Sequence, residues 1–289
     1  MHMPREFVTD FGTRLHAARG KDFLLLGEAY TGDQQFVASI QKETGLDMMY
    51  DFPLSNTIRS VVGKNEDQGF FGRWRRFFHL REAFPGEAWR VRTSRGANPE
   101  WFHELFEKDK IYQNPAGLMT IIENHDMPRF MAAAGPRARD KFLQALTLQY
   151  CFRGVPCLYY GAEDGMGMTD EDIRADKRHG ADPQMFARLE KLGALRHGSK
   201  ALRRGEQREI TCDRQVYAFS RVHQDETVVV VANVDKKSQE RDIPLPGGCK
   251  KGYRLENLLT GEISTISGDT MRVTLGAADM RVLRITPLE

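Results

Sequence analysis

Two strand-like segments of this chain end in groups able to move protons. Leu118 to Ile122 is a mostly apolar, β-prone run that leads straight into Glu123, Asn124, His125 and Asp126, and Pro128 then cuts the cluster off. Upstream, Phe23 to Gly27 has the same design and ends at Glu28. Buried parallel strands read as near-continuous apolar runs, and α/β barrels gather reactive groups at the carboxyl ends of such strands. Two carboxylates on two strand ends suit glycoside chemistry. One acid protonates the leaving oxygen while other carboxylates hold the developing cation.

These segments resemble the α-amylase family of glycoside hydrolases. Leu26-Gly27-Glu28 is similar to the family's fifth-strand motif, whose Glu is the general acid/base. Glu123 to Asp126 is similar to the seventh-strand motif, in which the His and Asp grip the sugar at the cleavage subsite. Gly154 to Gly161 resembles the eighth strand and its exit. The resemblance implies Glu28 and Asp126 as catalytic residues, Glu28 as acid/base and Asp126 as transition-state stabiliser. It implies His125 as sugar-binding, and the chemistry of the neighbouring side chains adds Asn124, Arg129 and Tyr30 to the expected substrate-binding set. His125 hydrogen-bonds a sugar hydroxyl, Asn124 orients, Arg129 holds carboxylates, and Tyr30 stacks on a sugar face. Gly27, lacking a side chain, is expected to leave space for the ring.

The family's nucleophile pattern, Gly-x-Arg-x-Asp, does not occur, nor does its first-strand pattern, Asp-x-x-x-Asn-His. Met1 to Phe7 resembles the residues that follow the nucleophile. The expectation is therefore the second half of an α-glucan- and maltodextrin-acting retaining hydrolase, inactive alone. The missing Asp would come from an upstream segment or a partner chain. The alternative is a non-catalytic carbohydrate-binding half, or the partner half of a split enzyme. Asp51 is the best-placed substitute nucleophile, ahead of Asp33 (which reads as a helix cap), Glu123 and Asp164. Calcium, held in the family partly by the backbone carbonyl at the place of His2, needs ligands from the missing half. No cofactor is expected on this chain itself.

Composition narrows the partners. A net charge of +2 gives no electrostatic case for nucleic acid or an anionic membrane surface. No apolar run approaches ~20 residues, so no membrane span is expected. Cys151, Cys157, Cys212 and Cys249 are too scattered for a disulfide framework or zinc site. They lean toward a reducing, cytoplasmic compartment, with localisation itself left open. Arg73, Arg75 and Arg76 among Trp74, Phe77 and Phe78 read as an amphipathic helix with a solvated Arg face. Gly161, Gly165 and Gly167 mimic a phosphate loop, but the acidic stretch Asp170 to Asp172 that follows repels phosphate. His103-Glu104 opens no zinc-binding His-Glu-x-x-His pattern, because Glu107 stands where the second His is required.

The elements that must position these residues alternate between strand and helix. Helices are expected over Pro4–Ala18, with Phe7, Phe11 and Leu15 on one stripe at spacing of four, over Asp33–Thr44, with Phe36, Val37 and Ile40 inward, and over Ser55–Val62, Pro99–Lys110, Arg137–Phe152 and Asp182–His197. Strands are expected over Phe23–Gly27, Leu46–Phe52, Leu118–Asn124 and Cys157–Tyr160. This is an α/β pattern; by the resemblance it is half of a (β/α)8 TIM barrel, strands 5–8, over residues 1–204 with an insertion around 63–110. From 205 to 289 six short strands with turn residues between them read as an antiparallel β-sandwich. Four parallel strands leave two open edges. A complementary N-terminal half, or self-association, is therefore expected alongside the α-linked oligo- or polysaccharide.

Overall fold

The computed structural model describes residues 3–63, 96–167, 176, 180–224 and 226–287. Its first part runs α1 (Arg5–Arg19), β1 (Leu26–Gly27), α2 (Gln34–Thr44), β2 (Met48–Tyr50) and α3 (Phe52–Val61). After α4 (Glu100–Phe106) come β3 (Leu118–Thr120), the short α5 (Phe130–Ala133), α6 (Ala138–Cys151), β4 (Val155–Pro156), α7 (Pro183–Gly198) and α8 (Lys200–Arg204). Carboxylate caps fix where three of these helices begin. Asp33 accepts from the amides of Gln35 (2.9 Å) and Phe36 (3.3 Å), Asp51 from Leu54 (3.0 Å), and Asp182 from Met185 (2.9 Å). The first turn of a helix has no internal acceptors for these amides, so each cap removes an unsatisfied donor.

The four strands pair in parallel in the order β1-β2-β3-β4. Gly27 pairs with Met49, Met49 with Leu118, Tyr50 with Met119, and Met119 with Val155. Paired residues share a face, and successive residues alternate between faces. On one face Met49, Leu118 and Thr120 are fully buried, the first two against Val37, Ala38 and Ile40. On the other, Leu26 and Val155 are each 39% exposed. Among the described residues, helices cover this sheet on one side only.

Several expectations are corrected. Phe7 and Phe11 of α1 stack on each other at 6.0 Å but stand about half exposed, and only Gly12 of that helix is buried. Phe36, expected to face inward, lies outside with the Arg5 guanidinium 5.7 Å from its ring centre. The helix expected to run to Lys110 stops at Phe106, and a single 3-10 turn follows at Asp109–Ile111. The last strand is Val155–Pro156 rather than Cys157–Tyr160. The Cys157 amide still donates to the Thr120 carbonyl at 2.9 Å, and further on Arg129 takes the Tyr160 carbonyl at 2.9 Å. Most of the expected insertion, including the Arg73–Phe78 cluster, lies outside the described residues.

Beyond Gly205 every strand is antiparallel: β5 (Glu206–Cys212), β6 (Val216–His223), β7 (Glu226–Asn233), β8 (Gln239–Pro244), β9 (Arg254–Asn257), β10 (Ile263–Thr265), β11 (Thr270–Leu275) and β12 (Met280–Thr286). One sheet runs β10-β9-β12-β7-β6-β5, and β11 pairs with β8. The two sheets face each other across Val216, Ala218, Val229 and Val231 on one side and Ile243, Met271 and Val273 on the other. β5 and β8 were not expected. Glu206-Gln-Arg-Glu and Gln239-Glu-Arg-Asp carry polar groups almost throughout, which a sheet edge or a two-stranded ribbon tolerates.

The outer face of the larger sheet joins the helical layer in one core. Phe152 packs on Phe219 at 4.8 Å and on Phe102 at 5.3 Å, and Phe102 meets Tyr217 at 5.2 Å. Two buried arginines close the same junction. Arg196 donates to the carbonyls of Tyr150 (2.6 Å), Phe152 (3.2 Å) and Gly154, and Arg221 donates to Cys151 (2.8 Å) and Gly205 (2.9 Å). Carbonyls at a helix C-terminus lack amide partners and carry partial negative charge, so cations satisfy both needs.

Because one core spans the junction, Phe152→Ala should cost about 3–5 kcal/mol and shift the helix and β signals together in urea denaturation. A shift confined to one signal would show that the two parts do not share a core. A second outcome concerns pH. The Arg139 guanidinium, with the Met185 amide adding, holds the Asp182 carboxyl down to about 2. A depressed carboxylate adds stability above its unfolded value, and that stability is lost as pH falls through the folded value. Asp182→Asn should therefore lower Tm at neutral pH and make Tm fall less steeply between about pH 4 and pH 2.

Candidate active site

Glu28 is the first residue after β1 and stands exposed at the carboxyl end of the sheet. Below it the buried side chains of Phe52, Ile121 and Met127 form a small apolar cluster with Tyr30, Tyr50 and Cys157 packed against it. Tyr30 meets Phe52 edge-on at 4.7 Å, and Tyr50 lies 6.0 Å from the same ring. Tyr50's phenol is held above its usual range, by burial first and then by the neighbouring Cys157 and Glu28. Gly27 serves a different purpose from the one expected. A Cβ there would come within 2.5 Å of Leu46 Cδ1 and 2.7 Å of Met49 Sδ, so the glycine makes room behind the sheet, not above it.

The cluster after β3 divides into a buried and an exposed half. Glu123 is buried, accepting from Arg129 at 2.8 Å and from the Phe130 amide at 2.7 Å. Arg129 is fully buried and its guanidinium lies 4.4 Å from the Tyr159 ring centre and 5.1 Å from that of Tyr160. Gly167, at φ +118°, allows this approach, since a Cβ there would sit 2.6 Å from Arg129 Cβ. The second and third glycines of the phosphate-loop look-alike thus serve packing and turns: Gly165 closes a 3-10 turn at Ala162–Asp164. Asn124 is buried and its side-chain oxygen accepts from the Asp126 amide at 3.0 Å, which braces the turn. His125 and Asp126 are both about half exposed, with Nε2 and Oδ2 3.3 Å apart. Of the expected substrate-binding set, His125 therefore reaches solvent beside Asp126, whereas Asn124 and Arg129 sit behind them as supports.

Asp51 is not free to attack a substrate. It is fully buried, caps α3 and pairs with the Arg153 guanidinium, which also takes Asp109 through contacts of 2.6 and 2.7 Å. Burial alone would pull the guanidinium of Arg153 down, but the two carboxylates outweigh it and raise it. The Asp109 carboxyl is pushed up by burial against the opposing pull of Arg153. The other substitutes are engaged as well. Asp33 caps α2, Glu123 holds Arg129, and Asp164 accepts from the Gly180 amide at 2.8 Å. Sequence reasoning missed Tyr50, Cys157 and Arg153. The signal for Tyr50 was available, since it ends a strand of the same design as the one before Glu28.

No three His, Cys, Asp or Glu side chains converge as metal ligands among the described residues, and His2 lies outside them. His103 instead pairs with Glu209 of β5 at 3.1 Å. Among the described residues no helix is long and apolar enough to cross a membrane.

The chain belongs to the α-amylase family: residues 1–205 match the family model described as alpha amylase, catalytic domain. Residues 210–282 match the one described as maltogenic amylase, C-terminal domain. It is 26% identical over 288 residues to the beta/alpha-amylase of Paenibacillus polymyxa, covering 97% of this chain and 21% of that protein. It is 30% identical over 284 residues to a cyclomaltodextrin glucanotransferase of Bacillus sp. (strain 38-2), covering 96% of this chain and 34% of that one. A solved structure, the α-amylase of Geobacillus thermoleovorans complexed with acarbose, superposes with a TM-score of 0.80 at 24% identity, covering 100% of this chain and 58% of that chain. The chain thus spans about a fifth to a third of the length of these curated relatives.

Breaking the buried triad tests the reading of Asp51 as structural. Arg153→Met should cost about 3–5 kcal/mol, the range for a buried pair that loses one partner. Asp51→Asn should lower Tm and leave sugar affinity unchanged. Loss of affinity at unchanged Tm would return Asp51 to the site.

Proposed function

We propose that this chain supplies half of the active site of a retaining glycoside hydrolase that acts on α-glucans and maltodextrins. The observation that carries it is the exposed Glu28 at the end of β1 together with the exposed His125–Asp126 pair after β3, in a chain of the α-amylase family. Glu28 protonates the leaving oxygen and later takes a proton from water. Asp126 stabilises the cation-like transition state, His125 donates to a sugar hydroxyl, and Tyr30 lends a ring face. Asn124 and the Arg129–Glu123 pair keep the turn in shape. The acarbose bound by the Geobacillus thermoleovorans relative supports α-glucans as the ligand class.

Retention needs a carboxylate nucleophile about 5 to 5.5 Å from the acid. The engagement of Asp33, Asp51, Glu123 and Asp164 in caps and pairs argues that none of them fills that role. In this proposal β1 to β4 are strands 5–8 of an eight-stranded barrel, and four further strands bring the nucleophile while covering Leu26 and Val155. A second copy of this chain fits that task poorly. A closed barrel has one helix over each gap between strands, and here α1 precedes β1 while α7 follows β4. Two copies would set α7 of one and α1 of the other over the same gap. A segment that begins and ends in a strand has no such conflict. The same engaged carboxylates favour a second reading, a half that binds carbohydrate without cleaving it.

Reducing ends released from maltoheptaose, measured beside calorimetric binding of acarbose, test the proposal. The chain alone should bind acarbose and release no ends. Turnover should appear with a complementary strand-to-strand segment bearing the missing Asp, and fall by about a hundredfold or more in Glu28→Gln. Cleavage by the chain alone, unaffected by Glu28→Gln, would refute it. Binding that no segment converts into turnover would favour the second reading.

A further inference from the structure

The β1–β2 register says which side chain faces the acid. Leu26 pairs with Met48 and Gly27 with Met49, so the next step sets Glu28 beside Tyr50. Met49 is buried beneath the helices, and alternation sends Tyr50 to the opposite, uncovered face with Glu28. Packing fixes the Tyr50 ring: it lies 6.0 Å from Phe52, which Tyr30 meets from its own side. The ring remains part exposed, and the titratable groups that face its phenol are Glu28 from β1 and Cys157 after β4.

We infer that Tyr50 is the positioning residue of Glu28: from the neighbouring strand, its ring and phenol set the direction of the acid carboxyl. The inference rests on the reading of Glu28 as the acid/base. A neutral phenol donates one hydrogen bond, and a carboxylate is the strongest acceptor within its reach. A bond from Tyr50 formed when a ligand is present would hold one carboxyl oxygen and leave the other turned toward that ligand over the strand ends. Burial, Cys157 and Glu28 all act to keep the phenol protonated, and so a donor, at neutral pH.

Two measurements on the full chain separate this role from simple packing. The first is tyrosinate absorbance against pH, with Tyr50→Phe identifying the Tyr50 phenol. In Glu28→Gln the Tyr50 midpoint should move down, because a negative neighbour has gone. An unmoved midpoint overturns the juxtaposition. The second compares acarbose, whose bridging amine seeks a carboxylate, with maltotriose, which has no basic group. Tyr50→Phe, which keeps the ring and should keep the circular dichroism spectrum, should weaken acarbose about tenfold or more and change maltotriose by less than about twofold. Equal loss for both sugars would make Tyr50 only a floor and overturn the positioning role. A chain that binds neither sugar sinks the glucan reading, while the titration still decides whether Tyr50 and Glu28 act on each other.

Discussion

A parallel strand has two faces, and the layout of this site follows from α2 covering one of them. Met49 and Leu118 are sealed against that helix, so the residues one step along each strand must point the other way. Glu28 and Tyr50 inherit the uncovered face by alternation alone, and the turn after β3 brings His125 and Asp126 to the same end of the sheet. The open face also leaves apolar surface in contact with water. Leu26 and Val155 are apolar and 39% exposed, and among the described residues β1 and β4 are the edges of the sheet, where backbone groups invite a further strand. The property that collects the functional groups is the one that calls for a cover.

Charge burial does the bracing. Arg129, Arg153, Arg196 and Arg221 are all largely withdrawn from solvent, and each is held by carboxylates or main-chain carbonyls. An unsatisfied buried guanidinium would be severely unfavourable, so each of these contacts locks a backbone segment in one arrangement. Arg129 joins the turn after β3 to the exit of β4, and Arg153 joins β2, through Asp51, to the loop carrying Asp109. Arg196 joins α7 to the end of α6, and Arg221 joins that same end to the β-domain. The charged side chains that carry structure are therefore distinct from those proposed to carry chemistry. Burial is the criterion that separates them.

That criterion explains what the sequence could and could not disclose. The alternation of strand and helix was legible, as were the Asp33 cap, the helix at Asp182 and the polar cluster after Ile122, because each depends on near neighbours. The structural role of Asp51 was not legible because its partner Arg153 stands about a hundred residues away, and no local pattern records that partner. Phe7, Phe11 and Phe36 show the same limit from the apolar side: spacing of four marks a stripe but not whether anything lies against it. β5 and β8 escaped notice because edge strands need no apolar alternation. Gly27 was correctly singled out, yet its reason lay behind the sheet, in Leu46 and Met49.

The exposed state of Glu28, His125 and Asp126 has its own physical meaning. Electrostatic catalysis depends on a site from which water is excluded, since charges in a low-dielectric surround act far more strongly than in bulk water. On the open face these groups are screened, and their attraction for a developing cation is correspondingly weak. Whatever covers Leu26 and Val155 would therefore do more than complete a sheet. In the proposed reaction it would desolvate Glu28, strengthen the pull of Asp126 on positive charge and make the phenol of Tyr50 a more effective partner for Glu28. Under the proposed function, folding and chemistry are coupled through one surface: the exposed apolar area of Leu26 and Val155 borders the polar groups that would gain from its being covered.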